Sequence, residues 1–384
     1  MSSMSSGEII DAARERTGLG PFEEASYHEG LELLVAEIAA CDRATERSYA
    51  MMRGAMTDSL ANRFRVEDYL IRHPEICEAP VERPVFMFGM PRTGTTLANH
   101  LLGTDPARRS LLNWEAVDSI PPATTATLKT DPRCLAALKR QEEMLERVGD
   151  LVLPHWEYAD EPTECIFLLA QDFKAMSWES RLPMPGYSKW ILECDMAPAY
   201  AYHKKCLQIL QSRAPGIWNL KMPSHSIWID TILELYPDAR LIWTHRDPYK
   251  TFASSCSLTL FSQTMAGVDP LDPVAIGDNA TRRLGAHLRG AMAAKKRLGD
   301  RIYDLYYHEL VADPVGEMRK LYAWLEDPFD EDVAGRMQAY LDDHPQNKFG
   351  RHEYTLEEFG LSVEKLRPLF ADYLERFSMP VAAG

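Results

Sequence analysis

Apolar positions recur at helical spacing from Tyr27 to about Leu70: Leu31, Leu33, Leu34 and Ile38, then Met51, Met52, Leu60, Phe64 and Tyr69. Residues three and four apart share one face of a helix, so this stretch reads as two or three helices. Pro74, Pro80 and Pro84 punctuate its end. The pattern then changes to an unbroken apolar run, Val85-Phe86-Met87-Phe88, followed by a glycine turn and by Leu97 to Leu102. That is the signature of a strand, a loop and a helix.

Asp131 to Leu151 is again helix-like, and Pro154 to Tyr187, rich in aromatic residues, proline and methionine, reads as a helical insertion with loops. A second alternating block follows. Ile217 to Leu220 predicts a strand, Ile227 to Leu235 a helix and Leu241-Ile242-Trp243 a buried strand. Helices are expected from about Tyr249 and over Asn279 to Leu298, then a strand over Ile302 to Tyr306. Pro314 precedes another helix, and the tail is loop plus helix. Strands alternating with helices imply right-handed crossovers and a parallel sheet.

Composition narrows the class. The chain has 384 residues, 46% hydrophobic and 26% charged, enough to bury a full core. Its formal net charge of −15 argues against nucleic acid or an anionic membrane as the main partner. No stretch is long and apolar enough to cross a bilayer, and the N-terminus lacks the apolar core of a secretory signal. The seven cysteines are scattered without a CxxC pair, so neither a disulfide framework nor a zinc site is expected, and the cytoplasm is the expected compartment.

The decisive segment is Gly89-Met90-Pro91-Arg92-Thr93-Gly94-Thr95-Thr96. It has the glycine frame of a phosphate loop, in which backbone N–H groups and a helix N-terminus cradle an anion and hydroxyls add donors. The lysine that a nucleotide triphosphatase needs is replaced by Thr95, and basic charge comes instead from Arg92 inside the loop. The expected fold is therefore α/β, a P-loop-like three-layer fold with a central parallel sheet flanked by helices, plus N-terminal and inserted helices. Residues 1–80 form the N-terminal helical region. Residues 81–384 form the main domain, with a helical insertion at about 120–215, in one compact unit.

With these residues the sequence resembles the sulfotransferases that use 3′-phosphoadenosine-5′-phosphosulfate (PAPS), in the soluble bacterial-type branch related to tyrosylprotein sulfotransferases. Pro91-Arg92-Thr93-Gly94-Thr95-Thr96 matches that family's loop for the 5′-phosphosulfate. The family also has a strand followed by an arginine and, eight residues on, a serine that together grip the 3′-phosphate. Leu241 to Thr244, then Arg246 and Ser254, stand at those positions. Lys221, in Leu220-Lys221-Met222-Pro223, falls where the family keeps a lysine beside the transferring group. Tyr307 is the resemblance's candidate for stacking near the adenine. Asn347 to Tyr354, with Lys348 and Arg351, resembles the C-terminal loop that folds over the nucleotide. Similarity spreads from about Gly18 to Leu361.

There are departures. Some cytosolic members carry a lysine where this chain has Arg92, and place a catalytic histidine two residues after the central lysine, where this chain has Pro223. The tyrosylprotein branch uses a glutamate after the first helix, for which Glu115 is the counterpart, a residue or two out of register. His155, in Pro154-His155-Trp156-Glu157, competes with it on intrinsic pKa, and His225 is a third candidate.

The resemblance implies sulfuryl transfer from PAPS to a hydroxyl without a metal ion. The chain's acidity favours a small hydrophobic or aromatic acceptor over a polyanion. Trp114, Trp156, Tyr158, Phe167, Phe173, Met176 and Trp178 are candidates for its cavity or for plain core. Two readings stand against this one: a phosphate-loop kinase using ATP and magnesium, and a nucleotide-binding protein without turnover. A homodimer is compatible with the sequence, but nothing in it requires one.

Overall fold

In the computed structural model, residues 4–22, 26–148, 157–344, 355–377 and 380 are described. Three helices open the chain: α1 (Ser6–Thr17), α2 (His28–Ala40) and α3 (Glu46–Arg72). α1 was not expected from apolar spacing. Its start is set by Ser5, whose side chain accepts from the Glu8 N–H while the Glu8 carboxylate returns to the Ser5 N–H. Thr45 and Ser48 close the same kind of reciprocal cap on α3.

The sheet has five parallel strands: β1 (Val85–Gly89), β2 (Arg108–Ser110), β3 (Ile217–Lys221), β4 (Arg240–His245) and β5 (Ile302–Tyr306). Their spatial order is β2-β3-β1-β4-β5. Four of these were expected. The fifth, β2, is an edge strand of three residues, Arg-Arg-Ser, with no apolar signal at all.

Side chains on successive strand residues point to opposite faces, and each face has its own core. Phe86, Phe88, Leu241 and Trp243 join α1 to α3 and the inserted helices in one cluster. Val85, Met87, Ile242 and Leu305 pack on the other face against Ala98, Leu101 and Leu102 of α4 (Thr95–Gly103) and against Met318 and Leu321. The result is helices on both sides of a parallel sheet, the three-layer α/β arrangement. Trp114, Phe173, Met176 and Trp178 are core residues, each at most 5% exposed, so they do not line an open acceptor cavity.

The order places β1 at the centre, with the chain leaving to β2 and β3 on one side and to β4 and β5 on the other. Ligands of such sheets bind beyond the strand C-termini where the order reverses. The loop after β1, Lys221 at the end of β3 and Arg246 just past β4 all lie at that end.

Candidate active site

The loop from Gly89 to Gly94 is held from two sides. A Cβ on Gly89 would come within 2.7 Å of the Thr244 carbonyl oxygen, and one on Gly94 within 2.8 Å of the Tyr307 ring. Both close approaches require glycine. Between them Arg92 adopts left-handed backbone, φ 69°. A non-glycine residue in that region carries strain of the kind that clusters at functional sites. The Thr93 hydroxyl donates to the Met90 carbonyl at 2.7 Å and meets the Thr244 hydroxyl. It therefore braces the loop against β4. Gly94 caps α4, and Thr95 and Thr96 open its first turn, so the helix N-terminus faces the loop's concavity.

Arg246 is drawn to this loop. Its Nη1 donates to the Arg92 carbonyl at 2.8 Å, and its guanidinium lies 4.0 Å from the centroid of the Tyr307 ring. The expected adenine-stacking residue thus packs between Arg246 and Gly94 and steadies the arginine through a cation–π contact. Asp247 caps the following helix, Pro248–Ala266, accepting from the Tyr249 N–H at 3.0 Å. Ser254 sits half-buried on the second turn of that helix.

On the other side of β1, Lys221 is 1% exposed and carries three partners: Thr96 Oγ1 at 3.3 Å, Glu157 Oε1 at 3.1 Å and Glu164 Oε1 at 3.2 Å. Burial alone would depress the lysine, but the Glu164 and Glu157 carboxylates outweigh it and hold the ammonium above its ordinary value. The two acids differ. Burial is opposed at Glu157 by Lys221 and by the Thr163 hydroxyl, which donates at 2.7 Å, and the carboxyl lies below its ordinary value. At Glu164 burial wins over the same lysine, and the carboxyl is raised. Its side chain nevertheless keeps 26% exposure. A carboxylate whose pKa burial has raised above its ordinary value takes up a proton more readily.

Glu115, one of the two residues expected to compete as base, lies outside the Lys221 cluster. It is fully buried and bound in a bidentate pair with Arg109, at 2.7 and 3.1 Å. The out-of-register placement has a physical cause: β2 ends at Ser110 and a short helix, Asn113–Val117, turns Glu115 back toward Arg109. His225 is also removed from the site, fully buried with its Nδ1 on the Tyr200 hydroxyl at 2.7 Å. Burial holds that imidazole well below its ordinary pKa. His155, Trp156, Lys348 and Arg351 lie outside the described residues.

Glu157 and Glu164 were missed as chemistry. The signal was two acids seven residues apart, flanking Pro162, in the stretch already singled out for His155. Spacing alone cannot pair them with a lysine on a strand that follows much later. Only a short parallel bridge between Glu164 and Lys221, with the Cys165 N–H donating to the Lys221 carbonyl at 2.9 Å, brings them together.

The Gly89–Thr96 loop, the buried lysine and the arginine all fall within the region that matches a known family. A model of the sulfotransferase family matches residues 84–331, more than half of the chain. The chain belongs to the sulfotransferase family. The crystal structure of sulfotransferase STF9 from Mycobacterium avium superposes with a TM-score of 0.94 at 44% identity, covering 99% of this chain and 98% of that one. Sulfotransferase STF1 from Mycobacterium tuberculosis gives 0.86 at 27% identity, over 96% and 99%. The omega-hydroxy-beta-dihydromenaquinone-9 sulfotransferase Stf3 of Mycobacterium bovis is 27% identical over 289 residues, 73% of this chain and 72% of its own. This sulfotransferase therefore carries its matched region over the sheet and all three site elements.

Proposed function

We propose that the protein moves a sulfuryl group from PAPS to an acceptor hydroxyl by in-line displacement, with Glu164 as base and Lys221 as the cation beside the transferring group. The observation that carries this reading is the convergence of a glycine-framed loop at a helix N-terminus, a buried lysine and an arginine at the C-terminal ends of β1, β3 and β4 respectively. The residues suit the donor. The loop amides, Thr95 and Thr96 would hold the 5′-phosphosulfate, with Arg92 alongside. Arg246 and Ser254 would take the 3′-phosphate, a forked and permanently charged partner being the natural ligand for that group. PAPS supplies an activated sulfuryl group on a good leaving group.

The chain's own residues do the rest. Glu164 accepts the proton of the acceptor hydroxyl, and Lys221 offsets the negative charge that develops on the departing oxygen. Glu157, held ionised, keeps Lys221 charged and aimed. In phosphoryl transfer, positioning and electrostatics supply most of the rate, and sulfuryl transfer here follows the same logic. The kinase reading loses ground because Thr95 occupies the position of the loop lysine. The relative Stf3 is named for a hydroxyl acceptor on a dihydromenaquinone, which agrees with hydroxyl chemistry at this site.

Arg246→Ala tests the donor assignment. Affinity for 3′-phosphoadenosine-5′-phosphate should fall roughly 10- to 100-fold, the value of a hydrogen bond to a charged group. Affinity for ADP, which lacks the 3′-phosphate, should hardly change. Equal losses for both nucleotides would remove Arg246 from the role given to it.

A further inference from the structure

A groove of about 1170 Å³ runs along α4 on the side away from Arg246. Arg92 of the phosphate loop stands in its wall at one end, and Pro106 and Pro215 at the other. His100 and Gly103 of α4 form its floor, one and two turns on from Thr96, which touches Lys221. The opposite wall is Tyr158, Glu161 and Pro162, the segment between the two glutamates that hold Lys221. The groove thus passes beside the reacting cluster, whose Lys221, Glu157 and Glu164 are not among the described residues of its lining, and spans α4 for about 13 Å, given 1.5 Å per helical residue. Arg246, Ser254 and Tyr307 are not among the described residues that line it. By strand order Arg246 lies on the β4 side of the loop and the groove's Ser110 and Pro215 on the β2–β3 side, so an acceptor there would approach opposite the proposed donor site.

Its volume exceeds the usual range of roughly 300–1,000 Å³ for small-molecule sites, which is more than a simple phenol fills. Four of its basic side chains are already in ion pairs. Arg109 is paired with Glu115, Arg108 with Asp327, Lys129 with Asp160 at 3.7 Å and Arg336 with Asp332 at 2.8 Å. Glu161 accepts from the Tyr158 N–H at 2.8 Å, and burial pushes its carboxyl up. Burial, reinforced by Lys221, holds His100 down at about 4, so it is neutral near pH 7. An ionic occupant would find no spare counter-charge there among these pairs, whereas Leu112, Leu128 and the prolines offer apolar contact.

One residue decides how open the groove is. Gly103 closes α4 with helical backbone, and a Cβ there would meet Ser110 Oγ at 3.1 Å and Pro162 Cγ at 3.6 Å. A side chain at this position would therefore bridge floor and wall.

We propose that the groove along α4 seats the body of an elongated, uncharged acceptor, its hydroxyl toward Lys221 and Glu164, and that Gly103 keeps the channel open for it. This rests on the sulfuryl-transfer reading and enlarges the small acceptor expected from composition. The test is calorimetric binding of phenol, 4-hexylphenol and 4-dodecylphenol to the protein saturated with 3′-phosphoadenosine-5′-phosphate, which needs no turnover. Affinity should rise at least about a hundredfold from phenol to 4-dodecylphenol, because each buried methylene adds severalfold. In Gly103→Phe that advantage should shrink below about fivefold, with nucleotide and phenol affinity unchanged. Ala126→Trp, at an exposed position of the wall, is the second variant and should cut the advantage in the same direction. Wild-type protein that binds the nucleotide but shows no dependence on chain length overturns the groove assignment alone. So do variants that keep the full advantage, or that lose phenol and 4-dodecylphenol equally. Failure of the wild type to bind the nucleotide overturns the donor reading, and the groove assignment with it.

Discussion

Lys221→Met should lower turnover by roughly 10²–10³, the effect of removing one group that stabilises developing charge in a water-poor site. The side chain is 1% exposed and already in contact with Thr96 of the loop helix, so no solvent cation replaces it. Methionine keeps the volume and removes the charge. It also leaves Glu157 and Glu164 without their shared cation, and breaking such a buried pair costs about 3–5 kcal/mol of stability. The melting temperature should therefore fall together with the rate. Single-turnover rates, measured below the lowered melting temperature with nucleotide affinity changed less than about tenfold, separate chemistry from folding. A variant that turns over at the wild-type rate would mean that Lys221 only holds the two glutamates in place.

Glu164→Gln should lower turnover by roughly 10²–10⁴ with nucleotide affinity unchanged, the usual contribution of a positioned base. Its pH behaviour sharpens the test. The base acts when ionised, and its carboxyl is raised above the ordinary glutamate value. Wild-type kcat/KM should then climb with pH through a limb higher than that of an ordinary glutamate, and the glutamine variant should lose that limb. Stability responds to the two acids with opposite signs. Glu157, depressed in the fold, contributes stability that is present above its unfolded pKa and lost as pH falls through its lower native value. Glu164, raised in the fold, subtracts stability as pH rises through its native value. Glu115→Gln is the control: it leaves Arg109 buried without its partner and should destabilise the fold while preserving the acid limb. Retention of that limb in Glu164→Gln, with its loss in Glu115→Gln, would return the base to Glu115.

What could be read in the sequence follows from how local each signal is. Val85 to Phe88 and Leu241 to Trp243 are short apolar runs, Ile302 to Tyr306 is apolar and aromatic apart from Asp304, and all are strands. The loop from Gly89 to Thr96 is contiguous, so its geometry was visible before any fold was known. Arg246 was legible through resemblance, and it does reach the loop. β2 was invisible because Arg108-Arg109-Ser110 carries neither alternation nor β-branched residues. Its pairing is paid for by ion pairs, Arg108 with Asp327 and Arg109 with Glu115, rather than by apolar burial. That same hidden strand is what carried Glu115 away from the site. The Lys221 cluster was illegible for a related reason. It joins an insertion, a helix and a strand through one bridge, and no window of sequence contains all three.

The central claim is a donor site that recognises a 3′-phosphate. The most direct measurement is calorimetric titration of the full chain with 3′-phosphoadenosine-5′-phosphate, ADP and ATP, each with magnesium and with a chelator. The account predicts that the 3′-phosphorylated nucleotide binds at least about tenfold more tightly than ADP, equally well in magnesium and in chelator. Preference for ATP that depends on magnesium would contradict it, and would make the loop from Gly89 to Thr96 a nucleoside triphosphate site.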